Sequence, residues 1–200
     1  MRRKMRIKRT DSSFTIDGFT INNKYQYGQY TRNDNDGPRT YNVKDKKVPS
    51  VTTILSGTQS KQKAEALDKW RERIGYEEAA RITNQAATRG TEMHYVLEQY
   101  MNGQGYLNLG DNGSQPRMMA HQIVENLDKL SEVYGTEVSL AYDDQWAGST
   151  DLVCVYDGKP TIADFKQSNK PKREEWIEDY YYQIAAYSLA HKKQYGEIVQ

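Results

Sequence analysis

The stretch AGSTDLVCVYDGKPTIADFKQ, from Ala147 to Gln167, decides which fold this sequence adopts. Two apolar segments flank the dipeptide Asp157-Gly158, which is typical of a tight two-residue turn between antiparallel strands. The same segments contain Asp151, Asp164 and Lys166, although charged residues are rarely buried in strands that build a core. The sequence therefore predicts a β-hairpin with three charged side chains that need a separate explanation.

The length of the turn determines which of these charged residues face each other. A two-residue turn places Asp151 directly opposite Asp164, whereas a four-residue turn, which Pro160 could cause, places Asp151 opposite Lys166. In both registers the two carboxylates share one face of the hairpin, and Lys166 projects to that face as well. A three-residue turn would instead separate the two aspartates.

Two carboxylates on neighbouring strands repel each other unless a cation lies between them. Cross-strand neighbours have Cβ atoms about 4.5–5.5 Å apart, and like charges at that distance disfavour ionisation. Asp151 and Asp164 therefore indicate a site for a divalent cation with oxygen ligands, Mg²⁺ or Mn²⁺, with Lys166 beside it. The alternative is a solvent-exposed face on which an aspartate pairs with Lys166.

The composition of the chain limits the remaining classes. With 200 residues, of which 36% are hydrophobic, the chain can bury one core, and its net charge of +1 neither favours nor excludes nucleic acid. Six of the first nine residues, MRRKMRIKR, are Lys or Arg, which indicates either a phosphate-binding arm or a solvated tail. Cys154 is the one cysteine, so we expect no intrachain disulfide or cysteine cluster and a thiol buried in a strand.

Membrane and export signals are missing from the sequence as given. No apolar run reaches the length of a membrane span, and no signal-peptide core follows the basic start. We therefore expect a soluble, cytoplasmic protein, with a mitochondrial transit peptide as the open alternative.

Residues 1–47 and 48–200 differ in character. The first part is polar and predicts a hairpin in FTIDGFTI, with its turn at Asp17-Gly18, and a strand near RTYNV. We expect it to form a basic arm and a small β-rich appendage. The second part predicts the main domain, and its last residues, GEIVQ, begin a β-like segment that suggests a truncated chain.

The main domain alternates helices and strands. Ser60 caps a predicted helix that ends at Gly75, and two separate helices are predicted after it, from Tyr76 to Thr88 and from Thr91 to Met101. A further helix is predicted from an apolar stripe formed by Met119, Ile123, Leu127, Leu130 and Tyr134. The predicted strands are Thr136–Tyr142, Gly148–Tyr156 and Thr161–Lys166, and the last predicted helix runs from Arg173 to Tyr195.

An ordered set of motifs resembles the PD-(D/E)xK nuclease superfamily in its RecB-type branch. The motifs are RGTEMHYVLE (Arg89 to Glu98), Asp151, DFK (Asp164 to Lys166) and QIAAY (Gln183 to Tyr187). VPSVTTIL…DKW, from Val48 to Trp70, resembles the mitochondrial genome maintenance exonucleases and their phage relatives. A lone DxK triplet is unspecific, whereas the ordered set is specific. Ser149-Thr150 precede Asp151 where the superfamily name has a proline.

The resemblance implies an α/β fold with a restriction-endonuclease-like core, in which helices flank a central mixed β-sheet. It also implies a metal-dependent DNA exonuclease that acts on single-stranded or free-ended DNA in replication, recombination or repair, with Mg²⁺ or Mn²⁺ as cofactor. Helices between Lys61 and Met101 would form an arch for single-stranded DNA. The implied phosphate contacts are Lys61, Lys63, Lys69, Arg71, Arg73 and Arg89.

The metal ligands implied by the resemblance are four groups. They are the imidazole of His94, the carboxylates of Asp151 and Asp164 and the backbone carbonyl of Phe165. A nitrogen ligand favours Mn²⁺ over Mg²⁺. Glu137, on the strand before Asp151, is either an outer ligand or a charge at the edge of the sheet.

The remaining implied site residues act on the water and the phosphate. Lys166 would orient and help deprotonate the attacking water and stabilise charge on the phosphate. Gln183 and Tyr187 lie one helical turn apart, so both would hydrogen-bond to the site or to a phosphate, or else pack the helix against the sheet. Glu98 lies four residues after His94 on the same helix face, and its role stays open.

Three other functions compete with the exonuclease. A restriction-type endonuclease would cleave circular DNA, which an exonuclease spares. A catalytically inactive DNA-binding module is disfavoured because His94, Asp151, Asp164 and Lys166 are all present. A CRISPR-associated nuclease of the same branch needs a four-cysteine iron–sulfur cluster, which one cysteine excludes.

Overall fold

A computed structural model describes residues 8–10, 13–16, 18–35, 37–104, 113–168 and 171–196. The strands are β1 (Lys8–Thr10), β2 (Ser13–Ile16), β3 (Phe19–Asn22), β4 (Thr31–Asn33), β5 (Thr40–Val43), β6 (Lys46–Pro49), β7 (Leu130–Tyr142), β8 (Trp146–Tyr156) and β9 (Lys159–Ala163). The α-helices are α1 (Val51–Gly57), α2 (Lys61–Ile74), α3 (Tyr76–Met101), α4 (Gln115–Glu125) and α5 (Glu178–Tyr195).

A six-stranded mixed sheet forms the centre of the protein. Its strand order is β1-β2-β3-β7-β8-β9, in which β3 and β7 run parallel and the other described neighbours run antiparallel. Strands β4, β5 and β6 form a second, antiparallel sheet. The prediction of an α/β protein with a central mixed sheet and helices is confirmed.

The hairpin of β8 and β9 has the predicted two-residue turn. Tyr156 pairs with Lys159, and the two residues between them, Asp157 and Gly158, have φ angles of 50° and 74°. Positive φ at both central positions is the signature of a type I′ turn, whose twist matches that of the strands. The four-residue alternative is therefore wrong.

Strand β9 ends earlier than predicted, because side chains of β8 replace its hydrogen bonds. The hydroxyl of Thr150 donates to the carbonyl of Ala163 at 3.1 Å, and the backbone N–H of Phe165 donates to the carboxylate of Asp151. The predicted strand Thr161–Lys166 is therefore wrong at its C-terminal end. The DFK triplet lies on the segment that follows β9, where its side chains are freed from the alternation of the sheet.

Helix α3 is one continuous helix of 26 residues, whereas the sequence predicted two. Gly90 lies between the two predicted helices, and a helical glycine costs about 1 kcal/mol relative to alanine. Tertiary packing of the second half outweighs that cost. The buried residues of this half are Met93, Leu97, Tyr100 and Met101.

The predicted helix that extended to Tyr134 is also wrong in its second half. Helix α4 ends at Glu125, and strand β7 begins at Leu130, six residues before the predicted strand. Within β7, Val133 pairs with Ile21 of the parallel strand β3. This pairing, with β8 on the other side, overrides an apolar spacing that suits either a helix or a strand.

The core has two layers, one on each face of the central sheet. On one face, Tyr187 of α5 packs with Val138 and Val153. On the other face, Tyr100 of α3 packs with Leu152 and Cys154. Burial raises the pKa of the Cys154 thiol to about 12, so this cysteine is a packing residue, as predicted. The sheet thus lies between α3 and α5, which both carry candidate site residues.

The strands near the start of the chain match the predicted ones, whereas the last helix begins later than predicted. Strands β2 and β3 form the predicted hairpin, and β5 is the strand predicted near RTYNV. The described residues do not include Asp17 of the predicted turn, the basic residues 1–7 or residues 197–200. The boundary between residues 47 and 48 stays a prediction. The last helix begins at Glu178 rather than at Arg173, because a short 3₁₀ helix, Glu174–Trp176, precedes it.

No helix in the described ranges is both long and apolar enough to cross a membrane.

Candidate metal centre

Three elements bring one imidazole and two carboxylates together. His94 comes from helix α3, Glu137 from strand β7 and Asp151 from strand β8. One ligand atom from each side chain lies within 4.8 Å of the others, a spacing that allows a single cation to contact all three. Nδ1 of His94 and Oδ1 of Asp151 are 2.9 Å apart. The structure therefore contains a possible metal-binding cluster.

Glu137 is the member of this cluster for which the sequence provided the weakest indication of a metal ligand. Its neighbours on β7, Thr136 and Val138, lie opposite Leu152 and Thr150, so Glu137 stands across from Asp151. The loop between β7 and β8 has three residues, Asp143 to Gln145, so the two-residue count used for the β8–β9 hairpin does not give this pairing.

The backbone of Glu137 is unusual for a strand. Its φ angle is 48°, in the left-handed region that costs a residue with a Cβ about 1–2 kcal/mol. Strained conformations of this kind persist where the surrounding structure imposes them, and they cluster at functional sites. The hydroxyl of Ser149 donates to Oε2 of Glu137 at 3.3 Å, which helps to fix the carboxylate.

The pKa values of the cluster reflect its concentration of negative charge. The hydrogen bond to Asp151 raises the pKa of His94 above its ordinary value. The pKa of Glu137 is raised by loss of hydration among neighbouring protein atoms and then by the charge of Asp151, although much of this side chain remains solvent-exposed. Glu98 adds to the negative potential at Glu137. A divalent cation would relieve this repulsion.

Asp164 lies next to the cluster and binds a different set of groups. It pairs with the amine of Lys166, and Oδ1 accepts a hydrogen bond from Nε2 of Gln183 at 3.2 Å. Burial, followed by the charge of Asp151, raises the pKa of its carboxyl group. The predicted ligand Asp164 is thus within electrostatic reach of Asp151 and is held by Lys166 and Gln183.

Gln183 and Tyr187 of helix α5 are both buried. The side-chain amide of Gln183 donates to the hydroxyl of Tyr187 at 3.2 Å as well as to Asp164. The ring of Tyr187 lies so close to Gly148 of β8 that a Cβ there would be 2.5 Å from its Cε1 atom. Helix α5 is therefore seated on the sheet through Tyr187, and this contact places Gln183 at Asp164.

Phe165 and Lys166 lie on the segment after β9. The N–H of Phe165 binds Asp151, while the role of its carbonyl as a ligand stays a prediction. The amine of Lys166 lies 5.6 Å from the centre of the Tyr180 ring, in a cation–π contact. About a third of the Lys166 side chain is exposed, since its relative accessible area is 35%. A substrate could therefore reach this amine.

Several cations predicted to contact phosphates have protein partners. Lys63 pairs with Asp179, and Arg71 pairs with Asp68 at 3.0 Å. Nε of Arg89 donates to Oε1 of Gln167 at 2.9 Å, so this guanidinium binds a neutral amide. Their contact with DNA stays a prediction.

The similarity of this chain to known proteins indicates one class of enzyme. No family model matches the chain. The chain is similar to exonucleases. It is 28% identical over 159 residues to mitochondrial genome maintenance exonuclease 1 of Mus musculus, which covers 77% of this chain and 47% of the relative. It is 28% identical over 130 residues to the Homo sapiens protein, an alignment that covers 62% of this chain and 38% of the relative. It is 29% identical over 164 residues to the Xenopus tropicalis protein, an alignment that covers 74% of this chain and 45% of the relative.

The chain thus spans less than half the length of these curated relatives. The similarity supports a relationship to exonucleases. It leaves the activity, the substrate and the pathway of the whole protein to be tested.

Proposed function

We propose that this chain is a metal-dependent DNA exonuclease of the PD-(D/E)xK type, with a RecB-like site and a restriction-endonuclease-like core. The observation that carries this proposal is the cluster of His94, Glu137 and Asp151 beside the pair of Asp164 and Lys166. A nitrogen and several carboxylate oxygens suit Mn²⁺ or Mg²⁺. The similarity to exonuclease relatives supports DNA as the substrate.

The residues that would hold the cation are His94, Asp151 and Asp164, with the carbonyl of Phe165, and we add Glu137 to this set. When bound, a divalent cation supplies Lewis acidity, which offsets charge on the phosphate and makes water easier to deprotonate. His94 must be neutral at the ligating nitrogen to take part. The raised pKa values of Glu137 and Asp164 would fall once positive charge is placed among them.

Lys166 is the residue we assign to the reacting groups. Its amine is paired with Asp164 and is partly open to solvent. In this position it would orient the attacking water and stabilise charge that develops on the phosphate oxygens. Gln183 would hold the Asp164 carboxylate in place, and Tyr187 would in turn orient the amide of Gln183. These two are positioning residues.

Digestion of end-labelled linear DNA and covalently closed circular DNA tests this proposal. With Mg²⁺ or Mn²⁺ present, we expect release of labelled nucleotides from linear single-stranded DNA and no cleavage of the circle. Cleavage of the circle would instead favour a restriction-type endonuclease. Binding to DNA without hydrolysis of either substrate would favour an inactive DNA-binding module. Comparison of single-stranded with double-stranded linear DNA separates the two forms of free-ended substrate.

A further inference from the structure

A polar pocket lies between helices α3 and α4. It is shallow and largely open to solvent, with a volume of about 610 Å³. Residues that line it include Arg81, Asn84, Gln85, Arg89, Glu92 and Gln115. Because these side chains are polar or charged, the pocket suits a hydrophilic ligand.

Arg89 contributes positive charge to this pocket, because its guanidinium donates hydrogen bonds to neutral amides. Its Nε donates to Oε1 of Gln167 at 2.9 Å and its Nη1 to Oε1 of Gln115 at 3.5 Å, and both acceptors are neutral amides. In the part of the chain that the structure describes, no carboxylate forms an ion pair with this guanidinium. Arg81 differs, because its Nε and Nη2 bind both carboxylate oxygens of Glu78, at 2.7 and 2.6 Å.

Gln167 connects the pocket to the candidate metal centre. It follows Lys166 directly, and its Nε2 donates to the carbonyl of Ala86 at 3.1 Å, so both ends of its amide are fixed to α3. His94 lies five residues beyond Arg89 on the same helix, about 7.5 Å along its axis. The pocket is therefore linked to the site in two ways. Helix α3 carries both Arg89 and His94, and a single peptide bond joins Gln167 to Lys166.

We propose that this pocket is a nucleotide subsite of the nuclease, in which Arg89 binds the backbone phosphate next to the one that is cleaved. This inference rests on the proposed function. The planar fork of a guanidinium matches two phosphate oxygens, and the amides of Asn84 and Gln85 can both donate to and accept from the edge of a base. Because Glu78 neutralises Arg81, the charges that the lining leaves to a ligand are those of Arg89 and the carboxylate of Glu92, which disfavour a multiply charged anion relative to a singly charged phosphodiester.

Binding of a fluorescein-labelled oligothymidylate, measured by anisotropy in buffer with EDTA, tests the subsite without any hydrolysis. We expect Arg89→Gln to raise the dissociation constant about tenfold or more, because it removes a charge-assisted hydrogen bond. The matched control is Arg117→Gln, which removes the same charge from an exposed position on α4 outside the pocket lining, and we expect a change below about threefold. Equal losses in the two variants would overturn the subsite and leave only general attraction to phosphates.

Measuring the effect of Arg89→Gln also in a Lys166→Ala protein distinguishes direct binding of the strand by Arg89 from an indirect effect through Lys166. If Arg89 binds the strand itself, Arg89→Gln weakens binding by the same factor in a Lys166→Ala protein as in the wild type. If Arg89 only orders the segment of Lys166 through Gln167, the loss disappears in the Lys166→Ala protein. The latter result would overturn the proposal.

Asn84→Asp provides a variant with little risk to folding, because Asn84 is exposed. A carboxylate at this position repels a phosphate in the pocket, so we expect binding to weaken about tenfold with an unchanged melting temperature. Unchanged binding would contradict the subsite. If the wild type binds the oligothymidylate but hydrolyses no DNA with Mg²⁺ or Mn²⁺, the nuclease proposal fails, whereas the binding comparisons still decide the pocket.

Discussion

Nδ1 of His94 lies 2.9 Å from Oδ1 of Asp151, so that a helix and a strand 57 positions apart in the sequence meet in one hydrogen bond. The bond joins α3, on one side of the central sheet, to β8 within it. It also determines how the imidazole titrates, because the pKa of His94 is raised chiefly by this contact.

Lys166→Ala should abolish DNA cleavage and leave DNA binding within about tenfold of the wild type. One lysine among many phosphate contacts contributes about one unit of salt slope to binding, whereas the reaction needs this amine beside the phosphate. Initial rates on end-labelled DNA and anisotropy measure the two effects. Lys172→Ala is the matched control, because its amine lies 4.8 Å from the same Tyr180 ring. Turnover by Lys166→Ala at the wild-type rate would refute the catalytic assignment.

Glu137→Gln should weaken Mn²⁺ binding at least about tenfold, since even groups that only support a ligand contribute 10- to 100-fold. The melting temperature of the metal-free variant should equal or exceed that of the wild type, because the neutral amide removes repulsion with Asp151. Calorimetry and thermal unfolding with and without Mn²⁺ measure these effects. Glu65→Gln, at an exposed carboxylate on α2, should leave the Mn²⁺ affinity unchanged. Wild-type affinity in Glu137→Gln would remove this residue from the ligand set.

The stability that His94 gives the metal-free protein should decrease as the pH rises. In the unfolded chain a histidine has a pKa of about 6.5, and in the folded protein the pKa of His94 is higher. The contribution is therefore complete below about pH 6.5 and is lost as the pH rises through the folded pKa. Urea unfolding of the wild type and His94→Gln in EDTA, from about pH 5.5 to about pH 9, measures it.

The pH trend should disappear when the partner of His94 is removed. In an Asp151→Asn background, the difference between His94 and Gln at position 94 should vary much less with pH, because the hydrogen bond to a charged acceptor is absent. A stability difference that instead grows with pH in the wild-type background would mean that burial, rather than Asp151, controls this imidazole.

Gly148→Ala should destabilise the protein by about 1–3 kcal/mol and lower cleavage as well. The new methyl group would lie 2.5 Å from Cε1 of Tyr187, so the ring and the neighbouring Gln183 must move. Urea unfolding and cleavage rates measure the two losses. Gly28→Ala is the control, because the atoms nearest to its new methyl group are 3.8 Å away.

Hairpin chemistry was the most predictive part of the sequence. Asp157-Gly158 specifies a turn in which both residues take positive φ, and that turn sets the register of β8 and β9. This register brings Asp164, directly after the end of β9, within reach of the charge of Asp151. Local rules were sufficient here because two adjacent residues decide the geometry.

Other elements depended on contacts that local patterns do not contain. The spacing of Leu130 and Tyr134 fits a helix, yet pairing with distant strands makes this segment part of β7. Gly90 lies between the two helices that were predicted, but burial of the following residues keeps α3 continuous. Glu137 entered the cluster through a left-handed backbone conformation, which a glutamate adopts at a cost and which its sequence neighbourhood does not predict.

The uneven burial of α3 has a consequence for hydrogen exchange. In its first half Ala79 is buried, whereas the second half buries Met93, Leu97, Tyr100 and Met101. Helix segments with few buried contacts open at a lower free energy than those in the core. Amide hydrogens near Arg89 should therefore exchange with solvent sooner than those beyond His94. A bound oligonucleotide would slow exchange in the first half, so that substrate occupancy could be read from the backbone of a single helix.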